Sequence, residues 1–176
     1  MSKLILVLGG ARAGKSAFAL RLADERLADS KGCFIATAQA LDAEMAERIA
    51  RHREERSGKW TTVEEPFHLD DALLQATESH VIIIDCLTLF VSNWLLRSEN
   101  ESEQILQPIV ERLLANVKSQ TATVICVSNE VGLGIVPDNL LGRTFRDLLG
   151  RVNQQFAAAA DEVYLLIAGL PLQLKP

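Results

Sequence analysis

The stretch LILVLGGARAGKSAFAL, residues 4–20, constrains the fold more than any other part of this 176-residue chain. An apolar run passes into an amphipathic run through Gly9-x-x-x-x-Gly14-Lys15-Ser16. This is the phosphate-binding P-loop pattern in the right setting, with a strand before it and a helix after it. Glycines let backbone N–H groups turn inward around phosphate oxygens, and the helix N-terminus adds partial positive charge. Lys15 is expected to reach the β and γ oxygens of a nucleotide, and Ser16 to coordinate Mg²⁺.

The rest of the chain repeats the same alternation. Strands are expected at 3–8, 32–37, 80–85, 122–128 and 162–168, with a minor strand at 60–64. Helices are expected from Ser16 to Ala28, Ala43 to Arg56, Phe67 to Ala76, Leu87 to Leu96, Glu103 to Lys118 and Leu140 to Ala160. The strands are rich in Val and Ile and lack period-two alternation, as strands buried on both faces do. The expected fold is therefore an α/β, mostly parallel, doubly wound sheet. The tail AGLPLQLKP reads as a final antiparallel edge strand, entered through a tight Gly-Pro turn. No repeat or linker interrupts the chain, so residues 1–176 read as a single nucleotide-binding domain.

Composition narrows the function. A net charge of −5 argues against broad nucleic-acid binding, which needs an excess of cations on one surface. Cys33, Cys86 and Cys126 each sit in a short apolar run, none at metal-ligand spacing, and read as buried, reduced thiols of a cytoplasmic protein. The N-terminal apolar run ends in Gly-Gly rather than at a small-residue cleavage site and reads as a strand. No apolar stretch reaches the length of a membrane span.

Two further features bear on chemistry. Asp85 closes the apolar run VIIID, where the acid on the Mg²⁺ side of a P-loop site is expected; a helix-capping role is the alternative. In AEMAERIARHREER, residues 43–56, Arg48, His52 and Arg56 share one helix face, while Glu47, Arg51 and Glu55 form a sign-alternating row. A solvated basic stripe with a bystander histidine is the plain reading. A catalytic histidine, kept neutral by its cationic neighbours, is the functional one. His68 and His80 read as structural. Glu130 follows a strand, where it could position a substrate hydroxyl or serve only as a turn residue. Arg143 and Arg146 are candidate phosphate contacts, and Asp147 is expected to pair with Arg151 at i,i+4. A base-reading N-K-x-D element does not occur, which disfavours a GTP switch.

Several segments together resemble one family: GGARAGKS (9–16), ATAQALDAEMAERIARHREER (36–56), KWTTVEEP (59–66), IIIDCLTLFVSN (82–93), VSNEVGLGIVP (127–137) and residues 145–175. The chain resembles the bifunctional adenosylcobinamide kinase/adenosylcobinamide-phosphate guanylyltransferases of cobalamin biosynthesis. The resemblance implies a RecA-like P-loop NTPase fold. It implies phosphorylation of adenosylcobinamide with ATP or GTP, then transfer of GMP from GTP to adenosylcobinamide phosphate through a GMP-histidine intermediate. The histidine falls on His52, with Lys15 as the other catalytic residue. Implied nucleotide contacts are Gly9, Gly10, Ala11, Arg12, Ala13, Gly14, Lys15, Ser16, Ala36, Thr37, Ala38, Arg53, Glu54, Glu55, Arg56, Glu64 and Asp85. Ser16 and Asp85 are the implied Mg²⁺ ligands, and a homotrimer is the implied assembly. Ala13 departs from the serine that members often carry, with little consequence expected because loop backbone does most of the cradling. A small-molecule kinase without guanylyltransferase activity and a nucleotide-binding switch protein are the competing readings.

Overall fold

A computed structural model describes residues 3–27, 30–40, 47, 58–76, 78–98 and 101–176. Seven strands form one sheet: β1 (Lys3–Gly9), β2 (Gly32–Ala36), β3 (Trp60–Glu64), β4 (Val81–Asp85), β5 (Thr123–Val127), β6 (Glu162–Ile167) and β7 (Leu170–Lys175). The described helices are α1 (Lys15–Leu27), α2 (Leu69–Gln75), α3 (Leu87–Arg97), α4 (Ser102–Ser119) and α5 (Leu140–Ala159). The strand order is β3-β2-β4-β5-β1-β6-β7. All pairings are parallel except β6 with β7. The expected helix over 43–56 lies outside the described residues apart from Glu47.

Burial on both faces explains the uninterrupted apolar strands. Leu4, Leu6, Ile35, Ile82, Ile84, Val124 and Cys126 face one core, which includes buried side chains of α2, α3, α4 and α5. Ile5, Val7, Phe34, Ile83, Ile125 and Val127 face the other, against Phe18, Ala19, Leu22 and Leu27 of α1. Alternate side chains of one strand thus enter different cores, and neither face tolerates a polar row.

The tail forms the expected edge hairpin, but its turn differs from the expected one. The reversal is Ala168–Gly169, with φ of 52° and 82°, and Pro171 sits inside β7 opposite Leu166. A two-residue hairpin with both central φ values positive matches the right-handed strand twist, which a Gly-Pro turn with fixed negative φ at proline does not. Proline is accommodated in β7 because that strand is the sheet edge.

The entry edge of the sheet carries a polar anchor. Glu162 pairs with Lys3, lies 3.5 Å from Arg26 and accepts a 2.7 Å hydrogen bond from Tyr164. Burial would raise the Glu162 carboxyl, but hydrogen bonds from Lys3 and Tyr164 and the charges of Lys3 and Arg26 outweigh it, holding the group below its usual value. A depressed carboxyl contributes stability that is complete above its unfolded pKa and lost as pH falls through the folded one. Glu162→Gln is therefore expected to destabilise the fold by a few tenths to about 1 kcal/mol at pH 7. Thermal unfolding of the two proteins should differ at neutral pH and converge as pH falls below the depressed folded-state pKa of Glu162.

Candidate active site

Gly9 ends β1 opposite Leu166 of β6. A Cβ at Gly9 would stand 2.6 Å from the Leu166 carbonyl oxygen, so no larger residue keeps these two strands in contact here. Beyond it the loop folds tightly. The Ala13 N–H donates to the Gly10 carbonyl at 3.2 Å, Arg12 takes φ 58° and Gly14 takes φ 89°. The Gly14 carbonyl accepts from Phe18 at 3.0 Å, which starts α1. The β6–β7 turn braces the loop from outside, with Gly169 N–H donating to the Ala13 carbonyl at 3.2 Å.

Lys15 is buried, 8% exposed, and its Nζ donates to the Gly10 carbonyl at 2.7 Å. The ammonium group is thereby folded back across the loop. The first turn of α1 carries no acid to offset its positive end. Ala11, Arg12 and Gly14 are exposed, while Ala13 and Ser16 are half-buried. A tight glycine-containing loop, the acid-free positive end of a helix and the buried Lys15 ammonium come together here, an arrangement suited to a polyphosphate.

Parallel register places the other strand ends beside this loop. Ala36 pairs with Glu64 on one side and Asp85 on the other. Asp85 pairs with Val127, and Val127 pairs with Val7, two residues before Gly9. At about 4.8 Å per strand, Asp85 stands about 10 Å from the β1 backbone and Glu64 about 19 Å. Asp85 is half-buried and Glu64 exposed. The α3 N-cap position belongs to Cys86, which makes no side-chain capping bond.

Thr37 and Ala38 continue β2 into this edge. Thr37 is fully buried, and its hydroxyl both donates to the Cys86 carbonyl at 2.8 Å and accepts from the Cys86 N–H at 2.7 Å. The Asp85–Cys86 peptide is cis. Asn93 of α3 donates to the Thr37 and Pro66 carbonyls at 3.0 and 3.1 Å. Cys33 and Cys126 are buried as expected, whereas Cys86 is only half-buried. Burial, then the charge of Asp85, pushes the Cys86 thiol up to about 11, which keeps it a protonated thiol near neutral pH.

A second polar cluster holds the end of β5. The Ser128 hydroxyl donates to Asn153 Oδ1 at 2.7 Å, Asn153 Nδ2 donates to the Asn129 carbonyl at 3.0 Å, and the Asn129 N–H donates to Thr88 Oγ1 at 2.7 Å. Ser128, Asn153 and Thr88 are 0, 5 and 7% exposed. Neither periodicity nor motif singles out Asn93, Thr88, Ser128 and Asn153 in the sequence. The available signal was a polar residue on the apolar face of an amphipathic helix, as Asn153 is between Val152 and Phe156.

The remaining candidates are spread along the same edge or away from it. Glu130 follows Asn129, its N–H donates to the Gly9 carbonyl at 3.1 Å, and its Oε1 accepts from Gly132 N–H at 2.7 Å. Arg146 donates to the Gly132 carbonyl at 2.7 Å, and Arg143 to the Pro137 and Asp138 carbonyls at 3.1 and 2.7 Å. Arg151 pairs with Glu103 of α4, not with Asp147 as the i,i+4 spacing implied. Tertiary packing of α4 beside α5 supplies a closer carboxylate than the same helix does. His68 packs edge-on to Trp94, and His80 bridges strands through its backbone, donating to the Lys31 carbonyl and accepting from Thr123. His52, Arg53, Glu54, Glu55 and Arg56 lie outside the described residues.

Comparison with known proteins follows the same lines. A family model described as cobinamide kinase / cobinamide phosphate guanyltransferase matches residues 5–174. The chain is 41% identical to the bifunctional adenosylcobalamin biosynthesis protein CobU of Escherichia coli strain K12, over 98% of this chain and 99% of that one. It is 43% identical to the protein of the same name from Salmonella typhimurium, with the same coverage. It is 44% identical to the bifunctional adenosylcobalamin biosynthesis protein CobP of Pseudomonas aeruginosa, over 97% of this chain and 96% of that one. Among solved structures, the flagellar accessory protein FlaH of Methanocaldococcus jannaschii superposes with a TM-score of 0.57 at 16% identity, over 98% of this chain and 78% of that one. A KaiC-like protein of Pyrococcus horikoshii gives 0.52 at 16%, over 93% and 70%. These two likenesses bear on the fold alone and match the RecA-like expectation.

Asn153→Ala removes both partners of the β5 exit at once, leaving the buried Ser128 hydroxyl and the half-buried Asn129 carbonyl short of hydrogen bonds. It should cost about 2–4 kcal/mol in urea unfolding, with little change in the denaturant slope.

Proposed function

The chain belongs to the cobinamide kinase / cobinamide phosphate guanyltransferase family, and from that membership we propose that it carries out both reactions of adenosylcobinamide in cobalamin biosynthesis. In the first, the substrate hydroxyl attacks the γ-phosphorus of ATP or GTP and the nucleoside diphosphate leaves. In the second, a nitrogen of His52 attacks the α-phosphorus of GTP. The P–N bond forms as the α–β bridging bond breaks, and pyrophosphate leaves. A phosphate oxygen of adenosylcobinamide phosphate then displaces the histidine and yields adenosylcobinamide-GDP. Splitting the transfer through a covalent intermediate replaces one difficult step with two easier ones.

The observation that carries this reading is likeness along nearly the full length to chains named as bifunctional enzymes. The P-loop geometry supports it. In this reading the backbone of Gly9, Gly10, Ala11, Arg12, Ala13 and Gly14 surrounds the phosphates, and Lys15 exchanges the Gly10 carbonyl for β and γ oxygens. Ala36, Thr37, Ala38, Glu64 and the segment Arg53–Arg56 supply further nucleotide contacts. Ser16 and Asp85 offer a hydroxyl and a carboxylate, the hard oxygen donors that suit Mg²⁺, and Mg²⁺ held by them would neutralise charge on the β and γ phosphates.

Further parts of the proposal concern the whole molecule. Residues 1–176 act as one domain. Among the described residues no helix is long and apolar enough to cross a membrane, in keeping with a cytoplasmic enzyme. The net charge of −5 agrees with small-molecule rather than nucleic-acid substrates. A homotrimer is proposed from the family likeness. Exposed apolar side chains at Leu133, Ile135 and Val136 and along β7 at Leu170, Leu172 and Leu174 supply surface for self-association.

The test is intact-protein mass spectrometry after incubation with GTP and Mg²⁺. Wild type should gain the mass of one GMP, the adduct should be acid-labile, and His52→Ala should gain none. Phosphorylation of the corrinoid without any protein adduct would reduce the activity to a kinase alone.

A further inference from the structure

The exit of β5 carries an acid that none of the nucleotide and metal roles above uses. We propose that Glu130 is the general base of the kinase reaction, taking the proton from the attacking hydroxyl of adenosylcobinamide; this rests on the kinase half of the function proposed above.

Position distinguishes Glu130 from the other acids on this edge. Glu64 ends β3, four strands from β1, and Asp85 ends β4, two strands away. Glu130 follows the strand directly beside β1, and its own N–H is bonded to the carbonyl of Gly9, the first residue of the phosphate loop. At about 4.8 Å per strand, its backbone is the only one of the three within about 5 Å of the loop's origin. On the other side of β1, β6 ends in Ile167, Ala168 and Gly169, which offer no side chain able to accept a proton. Within the β5 exit, Ser128 is committed to Asn153 and Asn129 is an amide. Among the described strand exits flanking the P-loop strand, Glu130 is the one proton acceptor.

The carboxylate is also held as a base should be. Oε1 accepts from Gly132 N–H at 2.7 Å, and Arg146 fixes Gly132 through its carbonyl at 2.7 Å. Among the described residues no ion pair engages Glu130, and the hydrogen bond from Gly132 uses one carboxylate oxygen, leaving the other for a substrate. The side chain is half-buried, so part of it remains accessible. Gly132 belongs to the arrangement, since a Cβ there would stand 2.8 Å from Glu130 Oε1 and displace it.

The step balances simply. The hydroxyl oxygen bonds to the γ-phosphorus, and the bond from that phosphorus to the β–γ bridging oxygen breaks. The nucleoside diphosphate leaves with the electron pair, and the hydroxyl proton passes to Glu130 and then to water. Proton transfer to a positioned base is worth roughly 10²–10⁴-fold.

The two reactions of one enzyme provide the control. Glu130→Gln keeps an oxygen to accept from Gly132 but removes the base. With cobinamide, ATP and Mg²⁺, its phosphorylation rate should fall about 100-fold or more, while GTP still transfers GMP to the protein. Gly132→Ala keeps the carboxylate but shifts it, and should slow phosphorylation roughly tenfold or more. A Glu130→Gln enzyme that phosphorylates cobinamide like wild type overturns the proposal, as does loss of both reactions together, which would mark Glu130 as a loop-forming residue. A Gly132→Ala rate equal to wild type overturns the placement of the carboxylate at the hydroxyl. A wild type that takes up GMP but never phosphorylates cobinamide overturns the kinase reading and this inference with it.

Discussion

The parallel pairing of β1 with β5 on one side and β6 on the other supports everything at the ligand-facing edge. Both neighbours run in the same direction as β1, so all three strands end at one side of the sheet, and a loop leaving β1 emerges among the others' exits. The missing side chain at Gly9 lets this pairing continue to the last residue of the strand, where the Leu166 carbonyl occupies the space a Cβ would need. The loop starts from a backbone position fixed on two sides. Its outward brace comes from the β6–β7 turn, where Gly169 meets Ala13.

Polar side chains on helices hold the strand exits that pairing alone does not reach. Thr88 and Asn93, both on α3, bind the exits of β5, β2 and β3, and Asn153 on α5 completes the hold on β5. Each of these side chains is buried or half-buried and bonded to backbone, Asn153 also to the Ser128 hydroxyl. In a low-dielectric setting a satisfied network fixes geometry strongly, and a broken one is costly. The helices behind the sheet therefore do two jobs, covering an apolar face and setting where the chain leaves each strand.

Spacing across the sheet sorts the acids of the edge into different chemical opportunities. Strands about 4.8 Å apart place Glu130, Asp85 and Glu64 at successively greater distances from the phosphate loop. A metal that keeps several waters tolerates an acid two strands away, whereas a base must reach the reacting hydroxyl itself. The roles proposed for Asp85 and Glu130 follow this difference rather than the residue type, which is a carboxylate in each case.

Much was legible in the chain itself because it depends on local periodicity and loop chemistry. The apolar runs mark strands, the Gly-Lys-Ser loop marks its own strand–helix junction, and Asp85 at the end of VIIID marks a second exit. These are properties of consecutive residues. The strand order, the identity of the neighbours of β1, and the partners of Asn93, Ser128, Asn153 and Arg151 were decided only by tertiary structure. They join residues far apart in the chain, and no local pattern encodes which distant partner is nearest. Arg151 shows the limit: spacing favoured Asp147 on the same helix, while packing brought Glu103 closer. The turn at Ala168–Gly169 shows it too, because strand twist and pairing with β6, not the glycine–proline content of the tail, set where the chain reverses.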